Sequence, residues 1–360
     1  MRLSMRYRLA TSITMFVALI VMIALAAAPL AAQTPKPAAA GTKPAASVAK
    51  PAAKTWTPPK TPWGDPDLQG VFTSDDYIGV GRDRNPQFAD RLYLTDEEIK
   101  QRESQIQNQA ANDLQEFPNP NARAGTGPPG HWGERARHSP RQTSLVVDPP
   151  DGRTPAILPE AQTRRQGFGA GVNDPRPSGP EDFSYYIRCI TRGLAGSVLP
   201  VIYGNGTQIV QGKGYVAILQ EMVHEARIIP LGGSPHAGST VRTYMGDSRG
   251  HWEGNTLVVE TTNFLPNKTG LGGNGGGVPL SGDARLIEHF TRTAPETIKY
   301  ELTINDPKTY EKPFTYSFPI TAEPGYQNFE YACHEGNYAM FNSLSGARAE
   351  EKAAAAATSR

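Results

Sequence analysis

The sequence predicts a mainly β fold, an antiparallel up-and-down barrel or sandwich with one N-terminal surface helix. A Gly254-Asn255 pair lies between runs rich in tryptophan, valine and threonine, which is a strong signal for a two-residue hairpin turn. Residues 297–305 and 314–320 alternate apolar with polar side chains, so each run is typical of a strand with one buried face. Further β-branched and aromatic runs follow Gly204. So many strands would leave exposed edges unless the sheet closes or pairs face to face.

The hairpin turn also sets a register. It places Trp252 opposite Leu257 and Arg249 opposite Glu260. Because side chains alternate along a strand, Trp252, Leu257 and Asn263 share one face, which we expect to be core with a polar end. Arg249 and Glu260 share the other face and are predicted to form a cross-strand ion pair. The alternative is that they contact the carboxylate of a ligand.

Four segments are predicted along the chain. Residues 1–32 begin with arginines, continue with a short apolar run and end in small residues, which is typical of a secretory signal peptide; an uncleaved anchor is the alternative. Residues 33–62 are almost wholly Ala, Pro, Lys and Thr and are predicted to be a disordered linker. Residues 63–346 are predicted to be a single β-rich domain with an extended N-terminal strap, and residues 347–360 a disordered tail. We therefore expect a periplasmic or secreted protein that contacts a membrane only through its signal segment before cleavage.

The surface helix is predicted from Thr95 to about Gln115. Glu98 follows Thr95 by three residues, which is the spacing of a capping box. The helix is polar on nearly all sides, so it is expected at the surface. After it, the Pro/Gly-rich residues 118–141 are predicted to lie as a strap across the barrel, or else to form a functional loop.

Charge and cysteine content narrow the partners and the compartment. The chain has 36 basic and 35 acidic side chains, but the charged side chains among its first 62 residues are all basic. The remainder is therefore mildly acidic, which argues against a nucleic-acid partner because phosphate neutralisation needs clustered Lys and Arg. Cys189 and Cys333 are the only cysteines. Since exported proteins meet an oxidising compartment, we predict one disulfide between them; two buried free thiols are the alternative.

Side chains that could carry chemistry gather around Cys333. Glu330, Tyr331, His334 and Glu335 lie within a few residues of it, and a carboxylate beside a histidine can act as general acid and base; a disulfide-stapled strand end is the alternative. The catalytic candidates of a hydrolase or isomerase are His224, His251, His334, Glu335 and Glu260. Paired Cys-x-x-Cys and helical His-x-x-x-His spacings are absent, so a metal is weakly indicated, with possible ligands His224, His236, His251 and His334. The sequence identifies no particular cofactor.

Three functions stay open. The first is binding of a small, largely apolar molecule inside the barrel, for which the candidate contacts are Trp252, Tyr300, Phe314, Tyr316, Asn263 and Arg249. The glycine-rich residues 271–282 lack the Lys-Ser/Thr ending of a phosphate-binding loop and are predicted to be a flap at the barrel mouth. The second function is the hydrolase or isomerase, with or without a metal. The third is a structural protein of the cell envelope, tethered through the lysine-containing residues 33–62.

Several strings of the chain resemble those of a large group of exported bacterial proteins with no established activity. The strings are SLVVDPPDGRTP, RCITRG, ILQEMVHEARIIPL, GDSRGHWEGNTLVVETTNF and YACHEGNYAMFNSLSGARAE, and they span about residues 143–350. The resemblance implies secretion and a shared β-rich domain, and it assigns no catalytic residue. A looser similarity to lipocalins comes from Gly250-His251-Trp252, which matches their Gly-x-Trp motif but lies in the middle of the chain instead of the first strand.

Overall fold

The fold is built on a sheet of antiparallel strands. The computed structural model describes residues 56–113, 133–134, 136–166, 177–273 and 276–358. In these ranges the strands are β1 (Gly70–Thr73), β2 (Val146–Asp148), β3 (Thr207–Gly212), β4 (Tyr215–Gln220), β5 (Ala226–Pro230), β6 (Asp247–Glu253), β7 (Thr256–Thr262), β8 (Arg285–Ala294), β9 (Thr297–Asn305) and β10 (Phe314–Ala322). The helices are α1 (Asp96–Asp113), α2 (Pro159–Gln166), α3 (Gly193–Val198) and α4 (Ala339–Thr358), with short 3-10 turns at Asp75–Tyr77, Pro86–Phe88, Pro180–Asp182 and Met222–His224.

Nine strands follow one another around a nearly closed barrel. The order is β5-β4-β3-β1-β10-β9-β8-β7-β6 with antiparallel neighbours, and β2 pairs with β10 outside this path. The two end strands meet where a parallel bridge joins Leu231, just after β5, to Gly250 of β6. This arrangement confirms the predicted antiparallel β fold and favours the barrel over the sandwich, because the two end strands meet and cover each other's edge.

The β6–β7 hairpin has the predicted register, with Trp252 opposite Leu257 and Arg249 opposite Glu260. Gly254 lies in the turn with a φ of +60°, a backbone angle that glycine adopts without a steric penalty. Leu257 is fully buried, and Trp252 is partly buried against the core. This face of the hairpin therefore points into the barrel, as expected.

The predicted ion pair between Arg249 and Glu260 is wrong. Nη1 of Arg249 lies 2.6 Å from Oδ1 of Asp247, whereas Glu260 pairs with Arg285 and lies 3.4 Å from Nε2 of His236. Asp247 precedes Arg249 by two residues and so shares its face of the strand, while the neighbouring strand β8 supplies Arg285. Each charge is thus satisfied by a neighbour other than the residue opposite it.

Apolar side chains that alternate along the strands fill the barrel. On β9 the inward residues are fully buried, and they are Ile298, Tyr300, Leu302 and Ile304. Helix α3 is buried along its whole length and adds Leu194 and Val198 to the same core. Burial of this continuous apolar surface is the main force that holds the barrel together.

A buried ion pair crosses this apolar interior. Arg227 of β5 donates two hydrogen bonds to Glu288 of β8, at 2.6 Å from Nη1 to Oε2 and 2.9 Å from Nη2 to Oε1. The hydroxyl of Tyr300 donates to Oε1 of Glu288 at 3.0 Å, and Nη1 of Arg227 lies 3.5 Å from Oγ of Ser248. We call the place where the end strands β5 and β6 meet the barrel seam. Among the described residues only an isolated bridge joins the chain there, so the ion pair between Arg227 of β5 and Glu288 of β8 reinforces the seam.

Replacement of Gly250 by valine is expected to disturb the seam. A Cβ atom at Gly250 would lie 2.7 Å from Cδ2 of Leu231 and 3.0 Å from Cγ2 of Ile229, both closer than ordinary contact. We expect the free energy of unfolding, measured by urea denaturation, to fall by about 1–3 kcal/mol, as in other overpacked cores. Gly238 is the matched control, because a Cβ atom there would meet nothing within 4 Å. An equal loss in Gly238→Val would contradict this account of the seam.

The helices agree with the prediction in one place and differ in another. Helix α1 lies within the predicted range, and its start has the expected capping box: Thr95 N donates to Oε2 of Glu98 at 2.8 Å, and Glu98 N donates to Oγ1 of Thr95 at 3.3 Å. The predicted disordered tail is wrong for residues 347–358, which belong to α4, the longest helix described. Alanine has the highest helix propensity, and the alanine tract there continues the helix.

The N-terminal predictions fall mostly outside the described residues. These predictions are the signal peptide at residues 1–32 and most of the linker at residues 33–62. The described chain starts at Trp56, and Lys60 already forms a bridge with Pro66, so ordered backbone begins slightly before residue 63. Most of the predicted strap at residues 118–141 is likewise not described. Of the helices that are described, none is both long and apolar enough to cross a membrane.

Candidate functional site

The chain leaves β10 as an extended segment that is fastened to the rest of the domain. This segment, residues 323–338, is called the C-terminal strap below. The predicted disulfide between Cys189 and Cys333 is present and fixes the strap to the segment before α3. Beside it, Nδ2 of Asn337 donates to the carbonyl oxygen of Ile187 at 2.9 Å. The strap is therefore held in place although it contains neither helix nor strand.

A cleft of about 290 Å³ opens between the C-terminal strap and the chain around the end of β4 and the start of β3. We call it the strap cleft. Among the described residues its lining consists of four aromatic residues, three carboxylates and one glycine, namely Tyr203, Tyr326, Phe329, Tyr331, Glu134, Glu221, Glu330 and Gly204. Half of the lining residues come from the strap, so the position of the strap decides the shape of the cleft.

Glu221, the residue that follows β4, fixes the aromatic side of the cleft. Its two carboxylate oxygens each lie 2.6 Å from the hydroxyl of Tyr326, and Oε1 accepts the backbone N–H of Phe329 at 3.1 Å. Burial, together with the nearby carboxylate, raises the pKa of the Tyr326 hydroxyl well above its ordinary value. The hydroxyl thus stays protonated and donates to Glu221, which ties two aromatic residues of the strap to the barrel.

Glu134 also lines the cleft, next to a second carboxylate, that of Asp75. Nδ2 of Asn205 lies 2.8 Å from Oδ1 of Asp75 and 3.2 Å from Oε2 of Glu134, so one amide contacts both groups. The backbone N–H of Gly204 donates to Oε1 of Glu134 at 3.1 Å. Burial, and then the hydrogen bond and negative charge of Asp75, raise the pKa of Glu134 to about 7. Glu134 can therefore hold or release a proton near neutral pH.

Replacement of Glu134 by glutamine is expected to stabilise the protein at pH 8 more than at pH 5. Because the pKa of Glu134 is raised above its ordinary value of 4.5, the folded state binds the extra proton and loses stability as the pH rises from about 4.5 to 7. Glutamine does not titrate and so avoids this loss. We expect the free energy of unfolding of Glu134→Gln at pH 8 to exceed that of the wild type by about 1–2 kcal/mol after allowance for solvent screening. Thermal unfolding of both variants at both pH values measures it. Glu330→Gln, at an exposed position, is the control. An equal gain in stability of Glu134→Gln at pH 5 and pH 8 would refute the raised pKa of Glu134.

Tyrosines and a buried arginine lie close together at the cleft. The hydroxyl groups of Tyr186 and Tyr331 are 3.4 Å apart, and burial raises the pKa of both Tyr203 and Tyr331. Arg192 is buried beside them and donates from Nε to the carbonyl oxygen of Gly273 at 2.6 Å. Burial lowers the pKa of Arg192 to about 10, so it stays charged at neutral pH. The hydrogen bond to Gly273 connects Arg192 to the glycine-rich loop.

The structure does not bring the predicted catalytic histidines together in one described site. His251 is exposed, with Nε2 lying 3.0 Å from Oε1 of Glu253, and His334 and Glu335 are exposed on the C-terminal strap. Glu260 lies on the outer face of the hairpin, beside His236. His224 ends the 3-10 turn Met222–His224. Among the described residues, no group of three or more His, Cys, Asp and Glu side chains is placed to hold a metal ion.

Most residues predicted to contact an apolar ligand have structural partners instead. Tyr300 and Phe314 are fully buried, with ring centres 5.0 Å from those of Phe290 and Tyr310, respectively. These rings fill the interior that the prediction left for a ligand. Nδ2 of Asn263 donates to the carbonyl oxygen of Ala237 at 2.9 Å, and Arg249 binds Asp247. The indole nitrogen of Trp252 is buried and has no hydrogen-bond partner among the described residues.

Tyr316 lines a separate cavity of about 320 Å³ beneath the glycine-rich loop that was predicted to be a flap. Its lining includes buried side chains of this loop, Leu271 and Val278, and of the following segment, Tyr310. A larger groove of about 770 Å³ runs beside α1, and its lining is mostly polar with one aromatic residue, Phe88. The strap cleft differs from both in combining four aromatic side chains with carboxylates.

The strap cleft includes residues that the sequence indicated and residues that it did not. Tyr331 and Glu330 belong to the predicted cluster around Cys333, whereas Glu134, Tyr203 and Glu221 were not predicted. The latter three are distant from one another and from the strap in sequence, and no motif connects them. Comparisons of the chain with protein-family models, with curated proteins and with solved structures found no match.

Proposed function

We propose that this chain is an exported β-barrel protein that binds a small molecule in the strap cleft. The observation that carries the proposal is the convergence of four aromatic side chains on one cleft, one wall of which is fastened to the domain by a disulfide. Ligand sites in proteins are typically concave, rich in aromatic residues and supplied with a few polar groups. The volume of about 290 Å³ suits a small ligand.

The aromatic residues of the cleft are incompletely covered in the structure. The side chain of Phe329 is 70% exposed, although the neighbouring Tyr326 is fixed by Glu221. A large apolar side chain on a fastened segment exposes surface that a bound molecule would remove from water. Seating of a ligand against Phe329 would therefore contribute to its affinity.

Export is part of the same proposal. It is supported by the signal-like residues 1–32 and by the disulfide, which is typical of proteins in an oxidising compartment. In this setting the Ala/Pro/Lys-rich residues 33–62 would act as a spacer between the envelope and the barrel. The cleft then faces the solution outside the cytoplasm.

The test is a binding screen with a matched pair of variants. Small aromatic, alicyclic and aliphatic compounds, neutral and charged, are screened by ligand-observed NMR against the full chain. We expect compounds that bind the wild-type protein to bind at least severalfold more weakly to Phe329→Ala. The control is Phe341→Ala, because Phe341 is 69% exposed but lies on α4 outside the cleft lining. Equal effects of the two substitutions, or no binding by any compound, would refute the proposal.

A second candidate function is acid–base catalysis in the same cleft. One observation favours it: the pKa of Glu134 is raised to about 7, which is the range in which a carboxyl group exchanges protons at neutral pH. Glu134→Gln should then abolish turnover of chromogenic esters or glycosides while leaving their binding nearly unchanged. Turnover that is insensitive to this substitution, or absent from the whole substrate panel, would exclude this candidate.

A further inference from the structure

We propose that the ligand of the strap cleft is an organic cation, either a quaternary ammonium compound or a protonated amine. This inference rests on the proposed function, because it specifies the chemistry of the molecule that the cleft binds. It is carried by the composition of the described lining, which joins aromatic side chains to carboxylates and contains no lysine, arginine or histidine.

Among the described residues, the charges that line the cleft are all negative. Glu134, Glu221 and Glu330 contribute carboxyl groups, and Asp75 lies directly behind Glu134. An anionic ligand would be repelled by these groups at short range, where partial burial weakens solvent screening. A neutral ligand could use the aromatic walls and donate hydrogen bonds to the carboxylates, but it would lack the charge–charge attraction to them. A cation is the ligand class that uses both.

The aromatic side chains supply the second half of such a site. Tyrosine and phenylalanine rings attract an ammonium group through the negative charge on their faces, and aromatic cages are a common way of binding quaternary ammonium groups. Tyr203, Tyr326 and Tyr331 bring three phenol rings to the cleft, and Phe329 adds a fourth ring. The apolar substituents around an ammonium nitrogen would cover the exposed surface of Phe329.

Of the described residues, Arg192 places a positive charge close to the site, and it is directed elsewhere. The buried guanidinium of Arg192 is near Tyr203 and Tyr331, but it donates to the carbonyl oxygen of Gly273 and does not line the cleft. A cation in the cleft therefore meets carboxylates without contacting Arg192.

Binding of a cation should be coupled to the proton on Glu134. The groups that face Glu134 are Asp75 from the 3-10 turn, the Gly204 N–H and the Asn205 amide before β3, and Tyr326 from the C-terminal strap. A neighbouring positive charge favours the ionised carboxylate, so affinity should rise with pH as Glu134 loses its proton. Because the pKa of free Glu134 is about 7, the rise should be about tenfold between pH 6 and pH 8.

The experiment compares cations with neutral molecules of the same shape. Choline is paired with 3,3-dimethylbutan-1-ol, in which carbon replaces the ammonium nitrogen, and benzylamine is paired with benzyl alcohol. Dissociation constants are measured by titration of the full chain with its disulfide intact. We expect at least one cation to bind about tenfold more tightly than its neutral partner. We also expect choline, which does not titrate, to bind more tightly at pH 8 than at pH 6.

Two variants separate the contributions of the carboxylates. Glu134→Gln should remove the pH dependence of choline binding. Glu330→Gln, at an exposed position that does not endanger folding, should weaken choline binding about twofold to threefold while the pH dependence persists. If neither cation binds more tightly than its neutral partner while any compound still binds in a Phe329-dependent manner, the inference falls and the proposed function stands. If no compound of any charge binds, both fall together.

Discussion

Replacement of Glu288 by leucine should lower the free energy of unfolding by about 3–5 kcal/mol. The substitution leaves the guanidinium of Arg227 inside the barrel without its counter-charge, and an uncompensated buried charge is among the most destabilising changes a core can suffer. The side chain of Glu288 is fully buried and that of Arg227 is 6% exposed, so water cannot replace the lost partner. The hydroxyl of Tyr300 also loses its acceptor.

The control is the double variant Arg227→Met/Glu288→Leu. Removal of both charges exchanges the ion pair for apolar packing, which is often neutral or stabilising in other proteins, so most of the loss should be recovered. Urea denaturation of the wild type and of the single and double variants measures the difference, and Glu288→Gln serves if the leucine variant does not fold. A single variant as stable as the wild type would show that the pair does not hold the barrel seam.

Removal of the disulfide should have the second large effect, and it should act on the cleft as well as on stability. The double variant Cys189→Ser/Cys333→Ser opens a covalent loop with a sequence separation of 144 residues. The chain-entropy account gives a loss of about 5 kcal/mol as an upper value, with smaller losses common in practice. Because Cys333 lies two residues after Tyr331, the C-terminal strap loses its covalent attachment beside the cleft.

The ligand-binding consequence separates this prediction from simple destabilisation. At a temperature where the double variant is still folded, the cleft compounds should bind at least severalfold more weakly, because the strap must be ordered when the ligand binds. The stability loss is followed by urea denaturation, and the affinity by the same titrations as for the wild type. Wild-type affinity in a folded double variant would mean that the disulfide does not organise the cleft.

Local patterns in the sequence were sufficient to predict the sheet. The Gly254-Asn255 turn gave the correct register of the β6–β7 hairpin because a two-residue turn permits few alternatives. Alternation gave the buried face of β9, since a side-chain period of two follows from strand geometry alone. The disulfide between Cys189 and Cys333 was predicted because an oxidising compartment was expected and two cysteines allow only one pairing.

The same patterns could not show what occupies the interior or which residues form the cleft. Alternation assigns Tyr300 and Phe314 to the inner face, but packing, which local sequence does not encode, decides whether they fill that space or line a cavity. The cleft residues Glu134, Tyr203 and Glu221 are close together only in the folded chain, and each lies outside a regular strand. The cross-strand register likewise did not show that Arg249 binds Asp247 of its own strand and that Glu260 binds Arg285 of the neighbouring strand.

The most direct test of the strap cleft is to map where a ligand contacts the protein. Backbone amide and tryptophan indole N–H resonances are followed by NMR while choline or benzylamine is added to the isotopically labelled full chain. The largest shifts are expected at Gly204 and Phe329, with little change at Val278 of the second cavity or at the indole N–H of Trp252. The opposite pattern, with shifts centred on Val278 or Trp252, would place the ligand elsewhere and contradict the account.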